Sequence, residues 1–284
     1  MTGDRRDARP LVVKFGGELL DDRARLAIVV DALGAIAASG TPLVVVHGGG
    51  KEIDAALETA GIETRQVDGL RITDAATLEI VVAVLAGAVN TRLVAALTAA
   101  RVAAVGLTGA DAGSGLAQVA PPHRAVDGRM VDLGRVGVPA AESDTRLLNT
   151  LVADGFVPVV ACIGATAVGE LLNVNADTLA GHLASRLGAR RLVIAGTTPG
   201  VLDDAGATMP LVDTAAVAEL VGRGTATAGM IAKLRACTDA LAAGVDDVVI
   251  VDGRDREALI AAATSTTPHA ATRLVPTVLA AGRP

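Results

Sequence analysis

Two lysines stand where a cation is costly. Lys14 closes the apolar run "LVVKF" and is followed at once by Gly16 and Gly17. A charge in a buried strand needs a partner or a role, and a glycine pair lets backbone come close to something. Lys233 falls in the first turns of a helix read from "TAGMIAKLRAC". The positive end of a helix disfavours a cation, so this lysine also asks for an anion. A second apolar run, Leu43–Val46, ends in "HGGG" and opens into a helix. Exposed backbone N–H groups and a helix N-terminus there can cradle an anion. Arg71, in "DGLRITD", has the fork that pairs with a carboxylate. Asn173, Asn175 and Asp177, in "NVNAD", alternate at spacing two, so an extended segment projects all three to one side. One asparagine must also cap the following helix. Each feature has a plainer role as well: a tight turn for the glycines, a solvated head for the lysines, a turn for Arg71, the helix dipole for Asp177. Neither glycine cluster fits GxxxxGK[ST] or GxGxxG.

The elements that must position these residues alternate between β-branched runs and Ala-rich helices, the pattern of parallel βαβ units. Strands are read at Leu11–Phe15, Leu43–Val46, Val102–Leu107, Val157–Ile163, Leu192–Ala195 and Asp247–Val251. Helices are read at Arg23–Ser39 (closed by Gly40), from "HGGG" to about Ala60, Ala75–Ala100 with a break near Asn90, and Leu147–Ala153. Further helices follow at Ala176–Leu187, capped by Asn175 and stopped by Gly188, then at Thr214–Arg223 and Met230–Ala243. Ala117–Val138 is polar and turn-rich, with Asp127–Gly128 as a hairpin turn. A soft boundary lies at Thr166–Glu170 and divides 1–168 from 169–284. No low-complexity linker separates the halves, so they share one sheet or pack closely.

Composition narrows the chemistry. The chain has 284 residues, half of them hydrophobic, with no Tyr or Trp, two Phe and a net charge of −6. That disfavours aromatic-stacking nucleic-acid modules and general attraction to phosphate backbones. Cys162 and Cys237 suggest neither a disulfide scaffold nor a zinc site, and a reduced compartment is the simple expectation. His47, His123, His182 and His269 are scattered without metal-ligand spacing, so no metal residues are assigned. The N-terminus "MTGDRRDARP" lacks the apolar core of a signal peptide. The apolar stretch around Ile80–Val89 reads as too short and interrupted to span a bilayer. A cytoplasmic protein without membrane or nucleic-acid partners is expected.

The runs "KFGG", "VVVHGGG", "GLRIT", "NVNAD", "GMIAK" and "VDGR", in this order from Leu11 to about Arg254, resemble the amino acid kinase family. The closest resemblance is to its members that phosphorylate N-acetyl-L-glutamate. It implies an α/β fold, a three-layer αβα sandwich with a mainly parallel sheet of the amino acid kinase and carbamate kinase type. The first half would bind the acceptor and dimerise, and the second would bind ATP. It implies ATP-dependent phosphorylation of a side-chain carboxylate, with Mg2+ bridging the phosphates. By this resemblance Lys14 and Lys233 neutralise the transition state and Asp177 orients them. Gly49, Gly50, Arg71, Asn173 and Asn175 form the acceptor site. Gly16, Gly17, Gly196, Thr197, Gly200 and Met230 lie on the nucleotide side. A homodimer is expected.

Departures from the family pattern exist. "GTTPG" at 196–200 lacks the Asp that many relatives carry, "AGMIAK" stands for "GGMIPK", and the chain end reads "AATRLVP". About ten residues, Pro10 among them, precede the first strand, so no interlaced hexamer and little arginine feedback are expected. A kinase for carrier-bound aminoadipate and a non-catalytic ligand-binding paralogue stay open as alternatives.

Overall fold

A computed structural model of the chain describes residues 9–223, 228–264 and 270–277. His269 lies outside the described residues. The first half runs β1 (Leu11–Phe15), α1 (Arg23–Ala38), β2 (Leu43–His47), α2 (Gly50–Thr59), and the short strands β3 (Gln66–Val67) and β4 (Leu70–Arg71). Helix α3 (Ala75–Val82) continues through a π-helical segment, Ala83–Val89, into α4 (Asn90–Ala99). Then come β5 (Ala104–Thr108), β6 (Ala117–Val119), β7 (His123–Arg124), β8 (Met130–Val131) and β9 (Val136–Pro139). These are followed by α5 (Arg146–Ala153), β10 (Val157–Ala161), β11 (Ile163–Ala165) and β12 (Leu171–Val174). The second half contributes α6 (Ala176–Arg186), β13 (Arg191–Gly196), β14 (Leu211–Asp213), α7 (Thr214–Arg223) and α8 (Ala228–Ala242). It closes with β15 (Val248–Asp252), α9 (Arg256–Ala263) and β16 (Ala271–Val275).

Eight strands form one sheet in the order β14-β16-β15-β13-β1-β2-β10-β5. It is parallel except where β16 runs antiparallel to β15. Strand alternation sorts the side chains between two cores. Leu11, Val13 and Phe15 pack with α1, α4 and α9, while Val12, Val44, Val160, Leu192 and Ile194 pack with α2, α5, α6 and α8. This is the expected three-layer αβα sandwich. The two halves meet where β1 pairs with β13 on one side and β2 on the other. The crevice beyond the carboxyl ends of such a strand pair is where open α/β sheets bind ligands.

Two local readings are corrected. The helix over 75–99 is not broken at Asn90: a π-helical segment carries it through. Its 25 residues are long and apolar enough to cross a bilayer by length and composition, although the sequence reading took the apolar run as too short. Here Leu78, Val81, Leu85, Val89, Leu93 and Leu97 are buried, all but Leu78 within the two cores. The trio Asn173, Asn175 and Asp177 does not share one extended face. Asn173 is on β12, Asn175 is the N-cap, and Asp177 already lies in α6. The Asn175 carboxamide oxygen accepts from the amides of Asp177 and Thr178, which ends the strand at that point. Thr166–Glu170 forms the tip of the β11–β12 hairpin, closed by the Thr166 amide donating to the Glu170 carbonyl.

Candidate active site

Because Val12 faces the α6 layer, Lys14 two residues on faces it too. Its partner therefore comes from α6, and it is Asp177: Lys14 Nζ stands 2.9 Å from Asp177 Oδ1. Lys233, from α8, reaches the same oxygen at 3.7 Å. One buried carboxylate from the first turn of α6 thus joins a lysine of β1 to a lysine of α8. Burial pushes the Lys14 ammonium down, but Asp177 more than offsets this and holds it above its ordinary value. Lys233 ends below its ordinary value, through burial and the nearby charge of Lys14, because its carboxylate is farther away. Asp177 is pushed up by burial but held below the usual carboxylate range by the two lysines.

The glycines are explained by close approach. A Cβ on Gly17 would stand 2.6 Å from the Cα of Gly49, so the two glycine loops interlock. A Cβ on Gly49 would stand 2.8 Å from Leu85 Cδ2, in the π-helical segment. A Cβ on Gly16 would collide with the carboxylate of Glu18. The Gly16 amide donates to the Ala195 carbonyl at 3.2 Å, which ties the end of β1 to β13. The second loop is positioned from below. His47 is fully buried, with its Nδ1 3.2 Å from the Gly48 carbonyl and its Nε2 3.0 Å from Asn90 Nδ2. Asn90 Nδ2 also donates to the Val159 carbonyl at 2.9 Å. Burial pushes His47 down to about 4, so the ring is neutral, and it donates from Nδ1 while accepting at Nε2.

A cavity of about 390 Å³ opens beside this centre, lined by Gly48–Gly50, Arg71, Asn173, Asn175 and Ala176 among others. It sits at the N-terminus of α2, where the first helical amides lack intrahelical partners. Arg71 Nη2 forms an ion pair with Asp54 Oδ1 at 2.7 Å and donates to the Gly50 carbonyl at 3.3 Å. Its Nη1 is buried and has no hydrogen-bond partner. Asn173 donates to the Thr73 hydroxyl at 3.1 Å, and that hydroxyl donates to the Arg71 carbonyl at 3.1 Å. The five residues expected at the acceptor thus come together. The nucleotide-side set is more dispersed. Gly196 lies close enough to the centre that a Cβ there would be 3.8 Å from Lys233 Nζ. Gly200 has φ 150° and packs on the Thr272 hydroxyl of β16, which leaves no room for a Cβ. Thr197 and Gly200 follow β13, and Met230 is in the first turn of α8 beside the core.

Residues that sequence reasoning missed are Glu18, Asp54, Thr73 and His47. Glu18 borders the cavity, and among the described residues its carboxylate takes part in no hydrogen bond or ion pair. Its signal was present: an acid directly behind the glycine pair. Among the described residues no three His, Cys, Asp or Glu side chains cluster to cage a metal. A single open carboxylate beside a phosphate cradle does fit Mg2+, which takes one or two carboxylates and otherwise substrate phosphates.

The model of the amino acid kinase family matches residues 9–252. An acetylglutamate kinase of Sphingopyxis alaskensis is 42% identical over 254 residues, covering 88% of this chain and 83% of that protein. An N-acetylglutamate synthase of Neisseria gonorrhoeae, solved with coenzyme A and N-acetyl-glutamate, shares the fold at TM-score 0.80 and 23% identity. It is matched over 96% of this chain, which spans 60% of that longer one. A carbamate kinase of Giardia follows at TM-score 0.68 and 14% identity, covering 95% of this chain and 99% of that one. With its sheet order, its lysine pair and the matched span taken together, this chain belongs to the amino acid kinase family.

Proposed function

We propose that this chain transfers the γ-phosphoryl group of ATP to the side-chain carboxylate of N-acetyl-L-glutamate, a step of amino-acid biosynthesis leading to arginine. The observation that carries the reading is Arg71, whose buried Nη1 lacks a partner, in the wall of a cavity of about 390 Å³ next to the Lys14–Asp177–Lys233 centre. An unsatisfied buried guanidinium donor is costly, and a substrate carboxylate removes that cost. The 42% identity to an acetylglutamate kinase supports the same acceptor.

The chemistry needs no general base. The acceptor carboxylate is already a nucleophile: its oxygen forms the new bond to the γ-phosphorus while the bond to the bridging oxygen breaks and ADP leaves. Catalysis is then positioning plus charge stabilisation. Lys14 and Lys233 approach from different layers and neutralise the equatorial oxygens, with Asp177 fixing both ammonium groups. Arg71 and Asn173 hold the acceptor, and Asn175 fixes the start of α6 and the rim of the cavity. The amides of the Gly48–Gly50 loop face the same space. Gly196, Thr197, Gly200 and Met230 belong to the nucleotide side. Mg2+, when bound, neutralises phosphate charge. Residues 1–168 serve the acceptor and 169–284 the nucleotide, with Asn173, Asn175 and Asp177 reaching back across. A cytoplasmic homodimer joined through the first half completes the proposal.

The test is ADP release on a panel of N-acetyl-L-glutamate, L-glutamate, N-acetyl-L-aspartate and N-acetyl-aminoadipate. Turnover with N-acetyl-L-glutamate above the others supports the reading. Preference for the aminoadipate derivative moves the acceptor, and no turnover with any acid overturns the kinase.

A further inference from the structure

Glu18 is an acid of this site that is ion-paired to neither lysine, although its charge pushes the pKa of both upward. Its backbone is fixed: residues Gly17–Leu19 form a 3-10 turn, Leu19 and Leu20 are buried, and the Glu18 carbonyl accepts from Arg25 Nη1 at 2.6 Å. The carboxylate is folded back over the end of β1, so that a Cβ on Gly16 would strike it. Its Oε1 and Lys233 Nζ both lie 3.8 Å from where a Cβ on Gly196 would stand. Two glycines, one from each half, therefore leave open the space into which this carboxylate points. It forms no ion pair with Lys14 or Lys233, both of which are paired to Asp177.

A carboxylate beside ATP phosphates is repelled unless a cation stands between them. Resting on the kinase reading above, we propose that Glu18 is the protein's own ligand for the divalent cation that accompanies the nucleotide. One carboxylate plus phosphate oxygens is the donor set that Mg2+ prefers. The arrangement couples the two ligands. Without the cation Glu18 opposes nucleotide binding, and with it Glu18 favours binding, so the site selects the metal-loaded nucleotide.

The experiment is calorimetric titration of the full chain with the non-hydrolysable analogue AMP-PNP, with Mg2+ and with chelator, for wild type and Glu18→Gln. The expected result is that Mg2+ tightens binding to wild type, and that this tightening falls about tenfold in the variant. Metal-free analogue should bind Glu18→Gln at least as well as wild type. With Mn2+ as probe, paramagnetic resonance of the ternary complex should differ between the two proteins, and Glu18→Asp should retain part of the metal effect. Equal tightening by Mg2+ in wild type and Glu18→Gln overturns the inference while leaving the kinase reading intact. Improved binding of both forms alike also overturns it, making Glu18 a repulsive group only. Failure of wild type to bind the analogue at all removes the nucleotide reading and the inference together.

Discussion

Gly17 and Gly49 lie in direct contact across the site, with room for no side chain between them: a Cβ on Gly17 would sit 2.6 Å from the Gly49 Cα. The loop after β1, which follows Lys14, and the loop that starts α2 therefore have one fixed spacing. Gly17→Ala pushes backbone against backbone, which a rotamer change cannot relieve. We expect a loss of about 1–3 kcal/mol in stability and, from misplacement on the ångström scale, about 100-fold in kcat. Urea denaturation and steady-state kinetics on the same preparation check both.

The lowered position of Lys233 sets an alkaline limit. The protonated ammonium is the active form, so activity is present below its pKa and is lost as pH rises through it. Because burial and Lys14 hold that value below 10.5, the alkaline limb of kcat/KM for ATP should fall below that of an ordinary lysine. Lys233→Arg stays charged throughout, so whatever activity it keeps should lose this limb. A pH profile of kcat/KM reads the free enzyme and decides the point.

Arg71 should act on the acceptor alone. Arg71→Met removes a charge-assisted bond and leaves Asp54 without its ion pair. We expect a rise of about 100-fold in KM for the acceptor with little change in KM for ATP. Arg71→Lys should rescue poorly, since the compact head of an ammonium cannot reproduce the planar fork that spans Asp54, the Gly50 carbonyl and a substrate carboxylate. A KM change shared equally by both substrates would contradict this role.

Asn175 is predicted to matter for stability first. Its side chain caps α6 through two amides, and Asn175→Ala should cost about 1–2 kcal/mol. Asn175→Asp keeps the cap and should keep most of the stability. Thermal melts of the two variants separate the cap from any contact with substrate.

The link between Lys14 and Asp177 came from the family resemblance; the residues alone showed only a lysine in an apolar run that asks for an anion and an acid at the start of a helix. The parallel βαβ units followed from the succession of β-branched runs and Ala-rich helices, and the αβα layering from the resemblance. Less legible was whatever depends on which loops touch. Asp54 meets Arg71 only because α2 and the β3–β4 hairpin are neighbours. His47 looked like one more scattered histidine until burial and Asn90 made it a support for the glycine loop. Spacing two in "NVNAD" was read as one extended face, and the Asn175 cap converts half of it to helix. The π-helical segment has no period of its own to detect, and β14 is a three-residue strand at the sheet edge. On the nucleotide side, the departure "GTTPG" places Gly200 against Thr272 of β16, a contact that no local pattern foretells.

The central claim is that lysines from two layers, joined by Asp177, stabilise a phosphoryl group moving to a carboxylate. Its most direct measurement is hydroxylamine trapping of the acyl phosphate, using the purified full chain, Mg-ATP and N-acetyl-L-glutamate. The account predicts hydroxamate with wild type and its loss in both Lys14→Ala and Lys233→Ala, with AMP-PNP binding retained. Undiminished hydroxamate in either lysine variant, or none with folded wild type, would contradict it.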